Sequence, residues 1–211
     1  MPLPPAPFVY PILDADTLGG RSAAAVTRSL VEAGARLLQV RGKGLGSRAL
    51  CDLVLEMIEV AHAGGALVVV NDRPDVALVC GADGVHVGQD DMPAADARRL
   101  MPVPLLVGLS THDASQVRAA PAGALDYIAI GPVFHTRSKA SPDPVVGLEG
   151  VAAARASTSL PLIAIGGITR SNAAEVIAAG ADAVAVVSDL LLASDPGEAF
   201  RRMQALLGPP R

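Results

Sequence analysis

Arg41 and Lys43 stand two residues apart, directly after the apolar run Leu37-Leu38-Gln39-Val40. Both can reach one anion, the first as a planar fork and the second as a point charge, a pairing suited to pyrophosphate. Glycines at 42, 44 and 46 keep the backbone thin around them. A solvated basic turn is the competing reading. Two more apolar runs end in carboxylates: residues 66–70 pass into Asn71-Asp72, and Gly84-Val85-His86-Val87 passes into Gly88-Gln89-Asp90-Asp91. Magnesium takes one or two carboxylates, water, and oxygens of a substrate phosphate. Asp72 and Asp91 beside Arg41 and Lys43 therefore point to a Mg2+-pyrophosphate site. Prolines that can open a helix follow both turns (Pro74 and Pro93), so N-capping competes for Asn71, Asp72, Asp90 and Asp91.

A second anion site is expected further along. Ile165-Gly166-Gly167-Ile168-Thr169 with Ser171-Asn172, and Val186-Val187-Ser188, each close a strand and lead toward a helix. Backbone N–H groups in such turns hold phosphate, although simple turn chemistry uses the same residues. Ser110 closes another apolar run, Leu105 to Leu109. The four histidines, at 62, 86, 112 and 135, have no metal-type spacing. His86 reads as a satisfied core residue inside a strand, and His112 and His135 as rim-loop residues, the latter placed where it could touch substrate. No Ser-His-Asp arrangement suggests a nucleophile.

These groups sit at the carboxyl ends of buried strands, and the elements must gather them. Strands are expected to begin near Phe8, Arg36, Ala66, Gly84, Pro104, Asp126, Leu162 and Ala183. Helices are expected over 21–34, 47–64, 73–80, 93–101, 113–120, 148–157, 171–179 and 195–207. In 47–64, Leu50, Leu53, Val54, Met57, Ile58 and Ala61 recur at helical spacing. Ala33-Gly34-Ala35, Cys80-Gly81-Ala82, Ala122-Gly123-Ala124 and Ala179-Gly180-Ala181 each precede a strand, as glycines ending helices would. Eight such units predict an α/β fold, a TIM (β/α)8 barrel, whose active-site rim lies at the strand carboxyl ends. An open doubly wound sheet ranks lower, because no Gly-x-Gly-x-x-Gly follows the first strand. The polar segment from Phe134 to Pro144 reads as a lid or substrate clamp.

The chain of 211 residues fits one domain over 1–211, with a Pro-rich lead-in at 1–7. It is 51% hydrophobic but only 2% aromatic, so an aliphatic core is expected. A net charge of −4 and few aromatics argue against a nucleic-acid partner. No apolar run approaches the roughly 18 residues a membrane span needs, and no basic leader precedes an apolar core. Cys51 and Cys80 form no metal or disulfide motif and read as buried thiols in a reducing cytoplasm. Small-molecule partners are expected; a homo-oligomer is left open.

Taken together and in order, several segments make the chain resemble the thiamine phosphate synthase family over essentially its whole length. They are Gln39-Val40-Arg41-Gly42-Lys43, Asn71-Asp72-Arg73, Gly84 to Asp91, Gly131-Pro132-Val133-Phe134-His135-Thr136-Arg137-Ser138-Lys139, Gly147-Leu148-Glu149-Gly150, Ala164 to Ile168, and Val186-Val187-Ser188. The resemblance implies a transferase that joins 4-amino-5-hydroxymethyl-2-methylpyrimidine diphosphate to a thiazole phosphate, giving thiamine phosphate and pyrophosphate. It implies that Gln39 and Ser110 contact the pyrimidine, and that Arg41, Lys43, Asn71 and Lys139 hold its pyrophosphate. Asp72 and Asp91 would support Mg2+. Thr136 and Ser138, with the backbone at Gly167, Val187 and Ser188, would receive the thiazole phosphate. Gly42, His135 and Ser138 depart from the family's usual residues and bear on the clamp. A thiazole tautomerase of the same fold is the nearest rival; such relatives usually place a His where Pro132 stands here. A non-catalytic thiazole-phosphate sensor is the other alternative.

Overall fold

Every expected apolar run forms a strand in the computed structural model, which describes residues 2–136 and 143–209. The strands are β1 (Phe8–Asp14), β2 (Leu37–Arg41), β3 (Leu67–Asn71), β4 (Gly84–Val87), β5 (Leu106–Thr111), β6 (Tyr127–Ile130), β7 (Leu162–Ile165) and β8 (Ala183–Val186). All pair in parallel, in chain order, and β8 returns to β1. Among the described residues this is a closed eight-stranded barrel, the TIM architecture expected from the alternating pattern.

The helices are α1 (Ala15–Leu18), α2 (Ala23–Glu32), α3 (Ser47–Ala63), α4 (Pro74–Cys80), α5 (Ala94–Leu100), α6 (Ala114–Ala119), α7 (Gly147–Arg155), α8 (Ala173–Ala178), α9 (Ser188–Leu191) and α10 (Pro196–Leu206). Of the α3 residues at helical spacing, Leu50, Val54, Met57 and Ala61 are buried, while Leu53 and Ile58 are half-buried against the same core. Burying each large member of that stripe contributes roughly 1.5–3 kcal/mol. Asp195 accepts from Glu198 N at 3.0 Å and Pro196 opens α10. The glycines at 34, 81 and 180 take positive φ after their helices. Ala122–Ala124 departs from that pattern: it forms a short 3-10 turn, and Gly123 does not take positive φ. The short α1 and α9 were not legible as helices. Among the described residues no helix is long and apolar enough to cross a membrane.

Two cores result from strand alternation. The layer between barrel and helices is aliphatic, as composition requires. The barrel interior differs from that expectation: Tyr10 and Tyr127 are fully buried there among Phe8, Ile12, Leu37, Val69, Leu106, Ile163 and small residues. Few aromatics exist, and two of them fill the centre of the barrel.

At the amino ends of the strands one device recurs three times. Asp83 accepts from Val68 N at 2.7 Å and donates its own N–H to Val68 O at 2.8 Å. Asp126 does the same with Val107, at 2.7 and 2.9 Å, and Asp182 with Leu162, at 2.9 and 2.7 Å. Each carboxylate also meets a helical basic side chain: His62, Arg98 and Arg155 respectively. These aspartates clasp neighbouring strands at the end away from the candidate site.

Candidate active site

The carboxyl ends of β1 to β4 bring charges together. Asp14 and Arg41 are register partners at the ends of β1 and β2. The Arg41 guanidinium donates to Asp14 Oδ2, while Asp14 Oδ1 accepts from Thr17 N at 3.0 Å and caps α1. Lys43 Nζ lies 3.0 Å from Asp72 Oδ2. Asp72 takes a left-handed φ of 64°, uncommon for a residue other than glycine. Its N–H donates to His86 O at 2.7 Å, so pairing with β4 holds the conformation. Such a backbone is worth about 1–3 kcal/mol of strain and often sits where function needs it.

Asp91 reaches back so that its Oδ2 accepts from Gly88 N at 2.8 Å. A Cβ at Gly88 would come within 2.8 Å of that oxygen, which explains a glycine there. The carboxyl groups of Asp72 and Asp91 meet. Burial first, then this contact, raises the Asp72 pKa above its ordinary value, with Lys43 opposing the shift. Two half-buried carboxylates in contact form a donor set that favours a shared cation or proton. Among the described residues no group of three or more metal-ligating side chains gathers, so a cation here would draw its other ligands from substrate and water.

The capping alternative does not hold for these aspartates. Arg73 occupies the N-cap of α4 and Pro93 that of α5, each without a side-chain cap bond. Asn71, Asp72, Asp90 and Asp91 therefore do not cap, and Asn71 ends β3 as the register partner of His86. Arg41 and Lys43, expected to reach one anion, both meet carboxylates. Each faces its own carboxylate, Arg41 on Asp14 and Lys43 on Asp72.

Beneath this rim lies a polar chain inside the barrel. Gln39 Nε2 donates to Tyr10 OH at 3.1 Å. Tyr10 OH and Tyr127 OH are 3.3 Å apart, Tyr127 OH and His86 Nδ1 3.0 Å, and His86 Nε2 and Ser110 Oγ 2.8 Å. Gln89 Nε2 donates to Ser110 O at 2.6 Å, tying the turn after β4 to β5. Burial lowers the His86 pKa to about 4, so the imidazole is neutral near pH 7.

The ends of β6 to β8 form the second cluster. Val133 N donates to Ile165 O at 2.9 Å and Phe134 N to Gly166 O at 3.0 Å, extending the β6–β7 pairing beyond the strands. Gly167 has φ 64°, and a Cβ there would lie 2.5 Å from His135 O. Asn172 Nδ2 donates to Gly167 O at 3.1 Å, and its Oδ1 accepts from Thr169 N at 2.8 Å. Arg170 Nε donates to Asp189 Oδ2 at 2.8 Å, joining the turn after β7 to α9. Thr136, Gly167, Val187 and Ser188 thus follow three adjacent strands. Ser138 and Lys139 lie outside the described residues, as does most of the segment read as a clamp.

The other histidines divide. His112 Nδ1 lies 2.7 Å from Gly131 O and 3.5 Å from Asp143 Oδ2, linking the ends of β5 and β6. His135 is exposed and His62 sits at the opposite end of the barrel. Sequence reasoning missed Asp14, Tyr10 and Tyr127 as site elements. Asp14 carried the strand-end signal used for Asp72. The tyrosines carried only inward strand parity, which becomes visible once the register is known.

Comparison with known proteins agrees with this geometry. The family profile described as thiamine monophosphate synthase matches residues 9–190. A thiamine-phosphate synthase of Methanoregula boonei is 46% identical over 85% of this chain and 83% of its own. One from Chloroflexus aurantiacus is 43% identical over 94% and 92%. The solved thiamine phosphate pyrophosphorylase of Pyrococcus furiosus superposes with a TM-score of 0.84 at 31% identity, covering 95% of each chain. From barrel to strand-end motifs, the chain belongs to the thiamine monophosphate synthase family of enzymes.

Proposed function

We propose that this enzyme couples 4-amino-5-hydroxymethyl-2-methylpyrimidine diphosphate to a thiazole phosphate, releasing pyrophosphate and forming thiamine phosphate with Mg2+ at Asp72 and Asp91. The observation that carries the reading is the meeting of Arg41, Lys43, Asp72 and Asp91 on one rim. Those groups suit the departure of a diphosphate. Arg41, oriented by Asp14, offers its remaining N–H donors to the leaving oxygens. Lys43 and Lys139 add point charges, and Asn71 an amide donor. Mg2+, when bound, neutralises the charge that collects on the departing diphosphate.

Gln39 and Ser110 orient the pyrimidine ring, whose electron-rich system stabilises the methylene as the C–O bond breaks. Thr136, Ser138 and the backbone at Gly167, Val187 and Ser188 hold the thiazole phosphate, placing the ring nitrogen close to that carbon. Proximity and preorganised charge do the catalytic task. The nitrogen already carries a lone pair, so the enzyme needs no general base, in keeping with the absence of a nucleophile motif.

Incubation with both substrates and Mg2+, with chromatographic detection of thiamine phosphate, tests the proposal. Product that disappears with EDTA and returns with Mg2+ is expected. Isomerisation of a thiazole phosphate alone, or its binding without turnover, would replace this reading with the tautomerase or the sensor.

A further inference from the structure

We infer that Gln39, Tyr10, Tyr127, His86 and Ser110 form one directional hydrogen-bond relay across the barrel interior, which fixes how Gln39 and Ser110 present donors and acceptors to the pyrimidine ring. The inference rests on the proposed pyrimidine contacts of Gln39 and Ser110. It adds Tyr10, Tyr127 and His86 as positioning residues that act through them.

The direction follows from counting protons. Gln39 Nε2 donates to Tyr10 OH at 3.1 Å, and among the described residues Tyr127 OH, 3.3 Å away, is the acceptor within reach of the Tyr10 proton, so the arrangement that satisfies every buried donor runs from Tyr10 to Tyr127. Tyr127 then donates to His86 Nδ1 at 3.0 Å. A neutral imidazole accepting at Nδ1 carries its proton at Nε2, which donates to Ser110 Oγ at 2.8 Å. The hydroxyl proton of Ser110 is left to donate elsewhere, and Gln39 Oε1 is left to accept. An aminopyrimidine edge presents the complementary pair, an amino donor beside a ring-nitrogen acceptor. Reversing one link requires turning every proton and flipping the Gln39 amide, so the two ends are coupled.

The barrel is shaped to hold this chain. A Cβ at Gly108 would come within 2.2 Å of Tyr127 Cζ and 2.5 Å of His86 Nδ1, so glycine makes the space for both rings. Tyr127 stacks on His86 with centroids 5.4 Å apart and meets Tyr10 edge-on at 6.2 Å. Burial keeps both phenols and the imidazole uncharged near pH 7, which preserves a single proton per link.

The test is a double-mutant cycle of Tyr127→Phe with Ser110→Ala, reading KM for each substrate, kcat and the melting temperature. Tyr127→Phe should raise KM for the pyrimidine diphosphate about tenfold, the effect of one lost hydrogen bond of about 1.4 kcal/mol. KM for the thiazole phosphate should stay unchanged. In the Ser110→Ala background Tyr127→Phe should add less than it does in the wild type, keeping only the part that acts through Tyr10 and Gln39. Multiplying effects in the double variant, or equal KM shifts for both substrates, would overturn the relay. An unchanged pyrimidine KM in Ser110→Ala itself would instead refute the ring contact on which the relay rests. Should Tyr127→Phe fold poorly, Tyr10→Phe breaks the chain one link earlier and carries the same prediction.

Discussion

The carboxyl groups of Asp72 and Asp91 meet across the ends of β3 and β4, with Lys43 Nζ 3.0 Å from the former. One ammonium facing two acids leaves a local excess of negative charge. The raised Asp72 pKa records that excess: burial and the neighbouring acid both favour the protonated form.

Asp72→Asn is therefore expected to stabilise the metal-free protein while abolishing most turnover. The sign follows from linkage. A carboxyl whose folded pKa is raised contributes most below its ordinary 3.8 and loses that contribution as pH rises through the folded value. At neutral pH the wild type carries the penalty and the amide does not. Asn also tolerates the left-handed backbone at this position. A gain in stability by denaturant titration, with kcat down about 100-fold or more, is the expected pair of results. Loss of stability together with retained turnover would contradict the assignment.

Asp14→Asn separates two roles of one side chain. Asn still caps α1 by accepting from Thr17 N, so the melting temperature should barely move. The Arg41 guanidinium loses its charged partner and with it a fixed orientation. KM for the pyrimidine diphosphate should rise about tenfold, a loss of about 1.4 kcal/mol, with KM for the thiazole phosphate unchanged. Steady-state kinetics with each substrate varied in turn decides it.

His86 gives stability a pH dependence of known sign. Its folded pKa is depressed from 6.5 to about 4, so the unfolded chain binds the extra proton between those values. Stability should fall as pH drops from about 6.5 to about 4, by roughly 3 kcal/mol in all, and this contribution should level off below that. Urea titrations of the wild type and His86→Gln across this range should show a shallower acid limb in the variant. Identical limbs would mean that the imidazole titrates normally.

Asp182→Ala removes the clasp between β7 and β8, leaving Leu162 N–H and Arg155 without their shared oxygen. A loss of about 1–3 kcal/mol is expected. Turnover and both KM values should remain as in the wild type, because this carboxylate lies at the far end of the strands. A fall in kcat at a temperature where the variant is fully folded would contradict that separation.

Much of the fold was legible because short continuous apolar runs alternating with helical stripes speak directly of local geometry. Four strands begin at the expected residue (Phe8, Gly84, Leu162 and Ala183), and the rest begin within two residues. Arg41, Lys43, Asp72 and Asp91 were legible because each follows such a run. What stayed hidden depends on register. Nothing local says that Tyr10 and Tyr127, far apart in the chain, point at each other across a closed barrel. Nor does it say that Asp14 stands opposite Arg41. Capping competed for Asp72 as the lesser reading, and the position of Arg73 at the start of α4 removes it.

The three aspartate clasps beneath Val68, Val107 and Leu162 have a consequence for how such a chain can change over time. Architectural rigidity is secured from below by short main-chain ties that make no demand on the loops above. A lineage can then redraw those loops, lengthen them or exchange their ligands while the scaffold stays intact. The same separation makes the upper turns the natural place to graft a new specificity, and the lower aspartates the residues a protein engineer should leave alone.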